Sequence, residues 1–202
     1  MTLWRSKYPL ILASQSRARQ TLLANAGIDF EAVPAKLDER AAQQASSLSA
    51  PGDVAALLAR QKAVVVSAQH SGRLVVGADQ TLALGTRLFS KPASRKQAAE
   101  QLRVLAGHSH QLHSAVAVAR DGKILFEAIA TARMTMRQLG DAEIDAYLDQ
   151  AGEAVTSSVG AYQLEGLGVH LFERIEGDHF TILGLPLLSL LAFLRSERLL
   201  NV

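Results

Sequence analysis

Between Leu10 and Leu23 the chain reads LILASQSRARQTLL. The apolar run Leu10 to Ala13 is long enough for a short buried strand and too short for a helix. Ser14-Gln15-Ser16 then breaks the run, and a leucine pair follows Arg17 and Arg19. The pattern predicts a strand over Leu10–Ala13 that hands over to a helix capped by Ser16. That helix runs to about Ala26, with Gly27 a suitable stop. A strand feeding straight into a helix commits the chain to an α/β arrangement. The junction also gathers Ser14, Ser16 and Arg19 where a helix N-terminus offers unpaired N–H groups and partial positive charge to an anion. Taken alone, the stretch reads first as a capped helix with two solvated arginines, because no Walker-type glycine pattern accompanies it.

The rest of the chain keeps alternating. Phe30 to Pro34 reads as extended, and 36–40 and 43–53 read as polar loops. Asp53 caps a helix to about Ala68 with Val54, Leu57, Leu58 and Val65 on one stripe. RLVVGAD, 73–79, is expected to be a strand running into a loop, and TLALGTRLF a hairpin turning near Gly85. Ser94 and Gly107 bracket an amphipathic helix, and Asp121-Gly122 turns two long strands within 110–136. LGDAEIDAYLDQA is a further capped helix, followed by Gly-rich strands. FTILGLPLLSLLAFL, 180–194, is interrupted by Gly184 and Pro186. It reads as a strand, a turn and a buried C-terminal helix, with no membrane span. The expectation is one α/β domain over 1–202 with a mixed central sheet.

Lys and Arg number 21 against 19 Asp and Glu, a formal charge of +2. That balance, with no basic run, argues against a nucleic-acid binder. The absence of cysteine excludes disulfides and cysteine-ligated metals and permits a reducing compartment. The N-terminal stretch carries no signal-peptide pattern, so a cytoplasmic protein is expected.

Asp79 follows an apolar run and a small Gly-Ala pair. A carboxylate at a strand end sits on a crevice edge in open α/β sheets, where it can hold a divalent metal, act as a base or simply cap a turn. Lys62 flanks the apolar stripe of its helix, and Lys91 precedes Pro92 in extended chain. Asp38 and Glu39 are adjacent loop acids that can serve Mg²⁺. His108, His110 and His113 lack a fourth partner, so no zinc site is expected. In SSVGAYQLEGLG, 157–168, the glycines permit close backbone approach, and Glu165 can accept from ring N–H groups.

Together these segments resemble the Maf family of nucleoside triphosphate pyrophosphatases from Leu10 to about Leu194. The matching pieces are LILASQSRARQTLL, Asp38-Glu39, LARQKA with Lys62, VVGAD with Asp79, Lys91-Pro92, GAYQLEG and LFERIEGDHFTILGLPL. The resemblance implies a two-lobed α/β fold of the ITPase-like kind, with helices on both faces of the sheet and a cleft, often dimeric. It implies hydrolysis between the α- and β-phosphates and a divalent cation such as Mg²⁺, Mn²⁺ or Co²⁺. Ser14, Ser16, Arg19, Lys62 and Lys91 would then meet the phosphates. Asp79 would be the proton acceptor or, with Glu39 and Asp38, a metal ligand. A nucleotide-binding regulator of cell division without turnover is the alternative. The intact set Arg19, Lys62, Asp79 and Lys91 favours the enzyme.

The departures lie near the base. Arg17 and Ala18 stand where the family has Pro and then Arg or Trp, and Ala18 is at a position linked to base selection. Ser157 and Ser158 replace an acid followed by Lys or Cys. Gln80 and Glu165 resemble the branch that acts on 7-methyl-GTP. A carboxylate accepts only, so Glu165 suits guanine's N1–H and N2 amino group better than a pyrimidine's single N–H between two carbonyls. Glu165→Gln is expected to shift the ratio of turnover rates toward dTTP and UTP by roughly tenfold, about 1.4 kcal/mol. Competing pairs of triphosphates in one reaction measures that ratio.

Overall fold

The computed structural model describes residues 3–201 of the 202-residue chain. Its strands are β1 (Leu10–Leu12), β2 (Phe30–Ala32), β3 (Val75–Leu84), β4 (Arg87–Phe89), β5 (Ser109–Arg120), β6 (Lys123–Met136) and β7 (Phe172–Glu176). Its helices are α1 (Arg17–Asn25), α2 (Glu39–Ser46), α3 (Pro51–Ser67), α4 (Arg95–Leu105), α5 (Asp141–Ala151), α6 (His179–Ile182) and α7 (Leu187–Ser196). The strands make one mixed sheet in the order β2-β1-β3-β5-β6-β7, with β4 paired to β3. β1 runs parallel to β2 and β3, while β3–β4 and β6–β7 are antiparallel. The chain forms two compact units. One holds the residues up to Gln80, Ser114–Ala130 and those from His179 on; the other holds Thr81–His113 and Thr131–Asp178.

In the first unit the two-residue repeat of a strand sorts the core onto two faces. Leu10, Leu12, Val76, Ala78, Val116 and Val118 point one way and bury Leu22 and Leu23 of α1 with Leu187, Leu190 and Leu194 of α7. Ile11, Ala13 and Val75 point the other way with Val66 of α3. On that second face Ala55, Ala59 and Ala63 of α3 meet Ala115, Ala117 and Ala119 of β5. Small residues let helix and sheet approach closely. A Cβ added at Gly77 would collide with the Ala59 carbonyl and lie 2.6 Å from the Ala63 nitrogen, so only glycine fits there.

Four expectations are corrected in this unit and the next. The polar run around 36–53 is not two loops: Asp38 Oδ1 caps α2 by accepting from Ala41 N–H at 3.0 Å, and α3 begins at Pro51 with Ala50 as its N-cap. The helix α2 buries none of its residues, which is why no apolar period announced it. Strand β3 does not end at Asp79 but continues to Leu84 before the expected hairpin at Gly85. The strand expected from Phe180 is the one-turn helix α6. Its last carbonyls are capped by side chains far away in sequence, a stabilisation that no local pattern reveals.

In the second unit α4 and α5 pack together, bury Leu102, Leu105, Ile144 and Leu148, and are tied by Arg103–Asp141 and Arg95–Asp149, each 2.6 Å. The Gly-rich segment forms 3-10 turns at Gly152–Thr156, Val159–Ala161 and Leu167–Leu171 where strands were expected. His110, Tyr162 and the partly buried Phe172 form a ring cluster, with His110 Nε2 and the Tyr162 hydroxyl 2.7 Å apart. Burial lowers the His110 pKa to about 4 from an ordinary 6.5.

Between those two values the unfolded chain binds a proton that the folded chain refuses, so stability is complete above pH 6.5 and is lost as pH falls toward 4. Urea unfolding of the native chain is expected to lose up to about 3 kcal/mol across that window through this residue, and His110→Gln is expected to flatten the pH slope.

Candidate active site

Position 79 on β3 has the same parity as Val75 and Gly77, so the Asp79 side chain faces α3. There it meets Lys62, whose Nζ donates to Asp79 Oδ1 at 2.6 Å. The same Nζ lies 2.8 Å from Glu39 Oε1, at the first residue of α2. Lys62 and Asp79 side chains are only 11% and 12% exposed, whereas Glu39 is 50% exposed. Burial pushes the Asp79 carboxyl above the usual carboxylate range, although Lys62 and Arg19 pull it down. Breaking a buried pair of this kind by removing one partner costs about 3–5 kcal/mol.

Arg19 is buried against the same strand. Its Nη1 donates to the Ala78 carbonyl at 2.8 Å and to Ser14 Oγ at 3.3 Å, and its Nε donates to the Gly184 carbonyl at 2.7 Å. Burial lowers its pKa, with Asp79 and Glu39 opposing. A guanidinium remains charged under such a shift. Nη2 is the corner of the fork left over from these bonds. Gly184, at φ +91, lets the chain turn away directly beside the guanidinium.

Ser16 Oγ caps α1 by accepting from Arg19 N–H at 3.4 Å, and Ser14 Oγ accepts from Ser16 N–H at 3.2 Å. Both hydroxyls act as acceptors in these bonds, which leaves the O–H protons to donate. Ala18 is half-buried and adds no polar atom. Gln80 points to the opposite face from Asp79. Its Nε2 lies 2.9 Å from Ser114 Oγ and 3.0 Å from each of the Thr181 and Ile182 carbonyls. Its amide donors are thus engaged inside the fold, and Oε1 is what it presents. Ser114, fully buried, also donates to the Thr181 carbonyl at 2.7 Å.

The first unit therefore brings together Arg19, Glu39, Lys62 and Asp79, with Ser14, Ser16 and Gln80 alongside. Asp38 stands next to them in sequence but is exposed and engaged in capping α2. Lys91 and Glu165 belong to the second unit and are exposed there, Lys91 just after β4 and Glu165 between two 3-10 turns. The sequence reading missed Ser114 and the Thr181–Gly184 carbonyls. Nothing local distinguishes a serine inside a strand, or a backbone carbonyl, as a partner of Gln80 or Arg19.

The family described as Maf-like protein matches residues 9–197. A nucleoside triphosphate pyrophosphatase of Bradyrhizobium diazoefficiens is 70% identical over 202 residues, all of both chains. A second protein of that name, from Rhodopseudomonas palustris, is 69% identical over the same full lengths. A 7-methyl-GTP pyrophosphatase of Rhizobium meliloti is 52% identical over 188 residues, 92% of this chain and 94% of that one.

Arg19 and its neighbour Arg17 separate burial from charge. Arg19→Lys keeps the charge but loses the fork, and is expected to lower unfolding stability by about 2–4 kcal/mol, the scale of one or two buried charged hydrogen bonds. Arg17→Ala, at an exposed position, is expected to stay within about 0.5 kcal/mol of the native chain. Urea titrations monitored by far-ultraviolet circular dichroism measure both.

Proposed function

The chain belongs to the Maf family, and from that premise we infer that it is a nucleoside triphosphate pyrophosphatase, a hydrolase acting on an acid anhydride. The observation that carries the reading is the buried Lys62–Asp79 pair, joined by Glu39 and flanked by Arg19, at the positions where the family resemblance expects phosphate chemistry. Water adds to one of the two phosphorus atoms beside the bridging oxygen, the bond to that oxygen breaks, and the nucleoside monophosphate and pyrophosphate separate. Asp79, where it is not itself a ligand of the metal, takes up the water's proton. Its desolvated carboxylate is a stronger base than an exposed one, which suits the task. Arg19 Nη2, Lys62 and the Ser14 and Ser16 hydroxyls supply donors and positive charge for the phosphate oxygens, and the N-terminus of α1 adds its own N–H groups. The family resemblance gives Lys91 the same kind of role.

Asp79 and Glu39 suit a divalent cation, Mg²⁺, Mn²⁺ or Co²⁺. They are hard oxygen donors already aimed at a single positive centre, and one or two protein carboxylates with substrate phosphates are a common set for Mg²⁺. When bound, such an ion supplies charge to the phosphate oxygens and acidifies a water. Asp38 has the weaker claim, because the capped end of α2 depends on it.

For the base we favour guanine-type triphosphates, 7-methyl-GTP among them. Gln80 presents its Oε1, an acceptor that suits a base edge rich in N–H donors, and the family resemblance gives the acceptor Glu165 the same kind of role. The name of the Rhizobium meliloti relative supports the same choice. The missing side chain at Ala18 argues for a loosely held base and broad selectivity. Such a substrate puts the enzyme's work in the cytoplasm. No helix among the described residues is long and apolar enough to cross a membrane.

The test is a panel of canonical and modified triphosphates with each metal, read by pyrophosphate release. Asp79→Asn is expected to fold, to bind nucleotide and to turn over at least about 100-fold more slowly, the scale of losing a general base. Near-native turnover in the folded variant would remove Asp79 from the chemistry.

A further inference from the structure

Lys62 is an awkward phosphate ligand as it stands, because its ammonium is already spoken for twice. Nζ lies 2.6 Å from Asp79 Oδ1 and 2.8 Å from Glu39 Oε1. Those are the same two carboxylates that suit a divalent ion. An ion bound to both at about 2.0–2.2 Å would overlap the volume that the ammonium fills. The two cations cannot share the place.

We propose that Lys62 is a tethered stand-in for the divalent ion. Ammonium and metal compete for Asp79 and Glu39, and loading the metal expels Nζ from between them and frees it for substrate phosphate. This rests on the pyrophosphatase reading and specifies how its charge is controlled. Arg19 is coupled to both acids, so two carboxylates face two cations and the group is neutral. A neutral group attracts a polyanion weakly. A divalent ion adds two positive charges, and the released lysine becomes one of the donors the triphosphate meets. The four-carbon stem suits the exchange. Its base is fixed on α3 while the head can swing, and the Glu39 partner it must leave is half exposed. Metal binding thereby switches on nucleotide affinity as well as reactivity, and the order is metal first.

The competition predicts a gain where a purely structural lysine predicts a loss. Mn²⁺ alone, titrated by calorimetry into the full chain without nucleotide, is expected to bind Lys62→Met about tenfold more tightly than the native chain. Glu39→Gln is expected to bind it more weakly. Equal or weaker binding by Lys62→Met overturns the proposal. Where Lys62→Met fails to fold, the native chain decides. Brief acetylation read by mass spectrometry is expected to modify Lys62 several-fold faster when Mg²⁺ is added, with the exposed Lys96 and Lys123 unchanged as internal references. Unchanged Lys62 reactivity overturns the proposal. Metal-dependent turnover by the native chain is read separately. A chain that hydrolyses triphosphates yet shows neither effect keeps the pyrophosphatase reading and loses the stand-in. A chain that neither binds Mn²⁺ nor turns over loses both.

Discussion

A carboxylate carried on a strand covered from both sides must be met by charge from a neighbouring element, because water reaches it poorly. Asp79 imposes that condition here. It is 8% exposed on a strand whose residues Val75 to Ala78 are all buried. Parity turns it toward α3, and Lys62 of that helix is the residue at the right height to supply the directly bonded counter-charge. Glu39 then balances the lysine from the first turn of α2, where the helix dipole favours an acid. Arg19 approaches the same strand through the Ala78 carbonyl. Several separate segments are thus fixed relative to one carboxylate, by pairings that Coulomb energy makes costly to break in a poorly hydrated setting.

The opposite parity is used differently. Gln80 gathers the Thr181 and Ile182 carbonyls at the end of α6, with Ser114 as the third member. A four-residue helix has too few internal bonds to persist alone. It is held here by tertiary donors, which add to the Gly184 N–H on the Thr181 carbonyl and bond the Ile182 carbonyl as well. The consequence is that Gln80 is held in one orientation, with its Oε1 as the atom left over from these bonds.

Much of this was legible beforehand wherever the signal is local. The caps at Ser16 and Ser94, the hairpin at Gly85 and the turn at Asp121-Gly122 all rest on interactions within four residues, and a sequence displays those directly. The failures share one cause. Asp79-Gln80-Thr81 looks like the polar end of a strand, because a sequence does not reveal that lysine, serine and carbonyl partners will arrive from elsewhere. The helix α2 was invisible because an exposed helix has no apolar period, and α6 because its caps are distant. The sequence offers Arg19, Lys62 and Asp79 as candidates, but not who bonds whom. Arg19 looked like a solvated arginine with an option on phosphate; in fact two of its three nitrogens are engaged inside the fold.

The alanine-lined contact between α3 and the sheet sets more than packing density. With Gly77 beneath Ala59 and Ala63, the backbone of α3 lies as near the strand as atoms allow, and it has no slack along that direction. Lys62 is the neighbour of Ala63, so the ammonium inherits its height above Asp79 from the absence of side chains one step away. Each methyl group added to that seam would act as a spacer, lifting the lysine away from its carboxylate. Residues that carry no functional group thereby calibrate the distance between two that do.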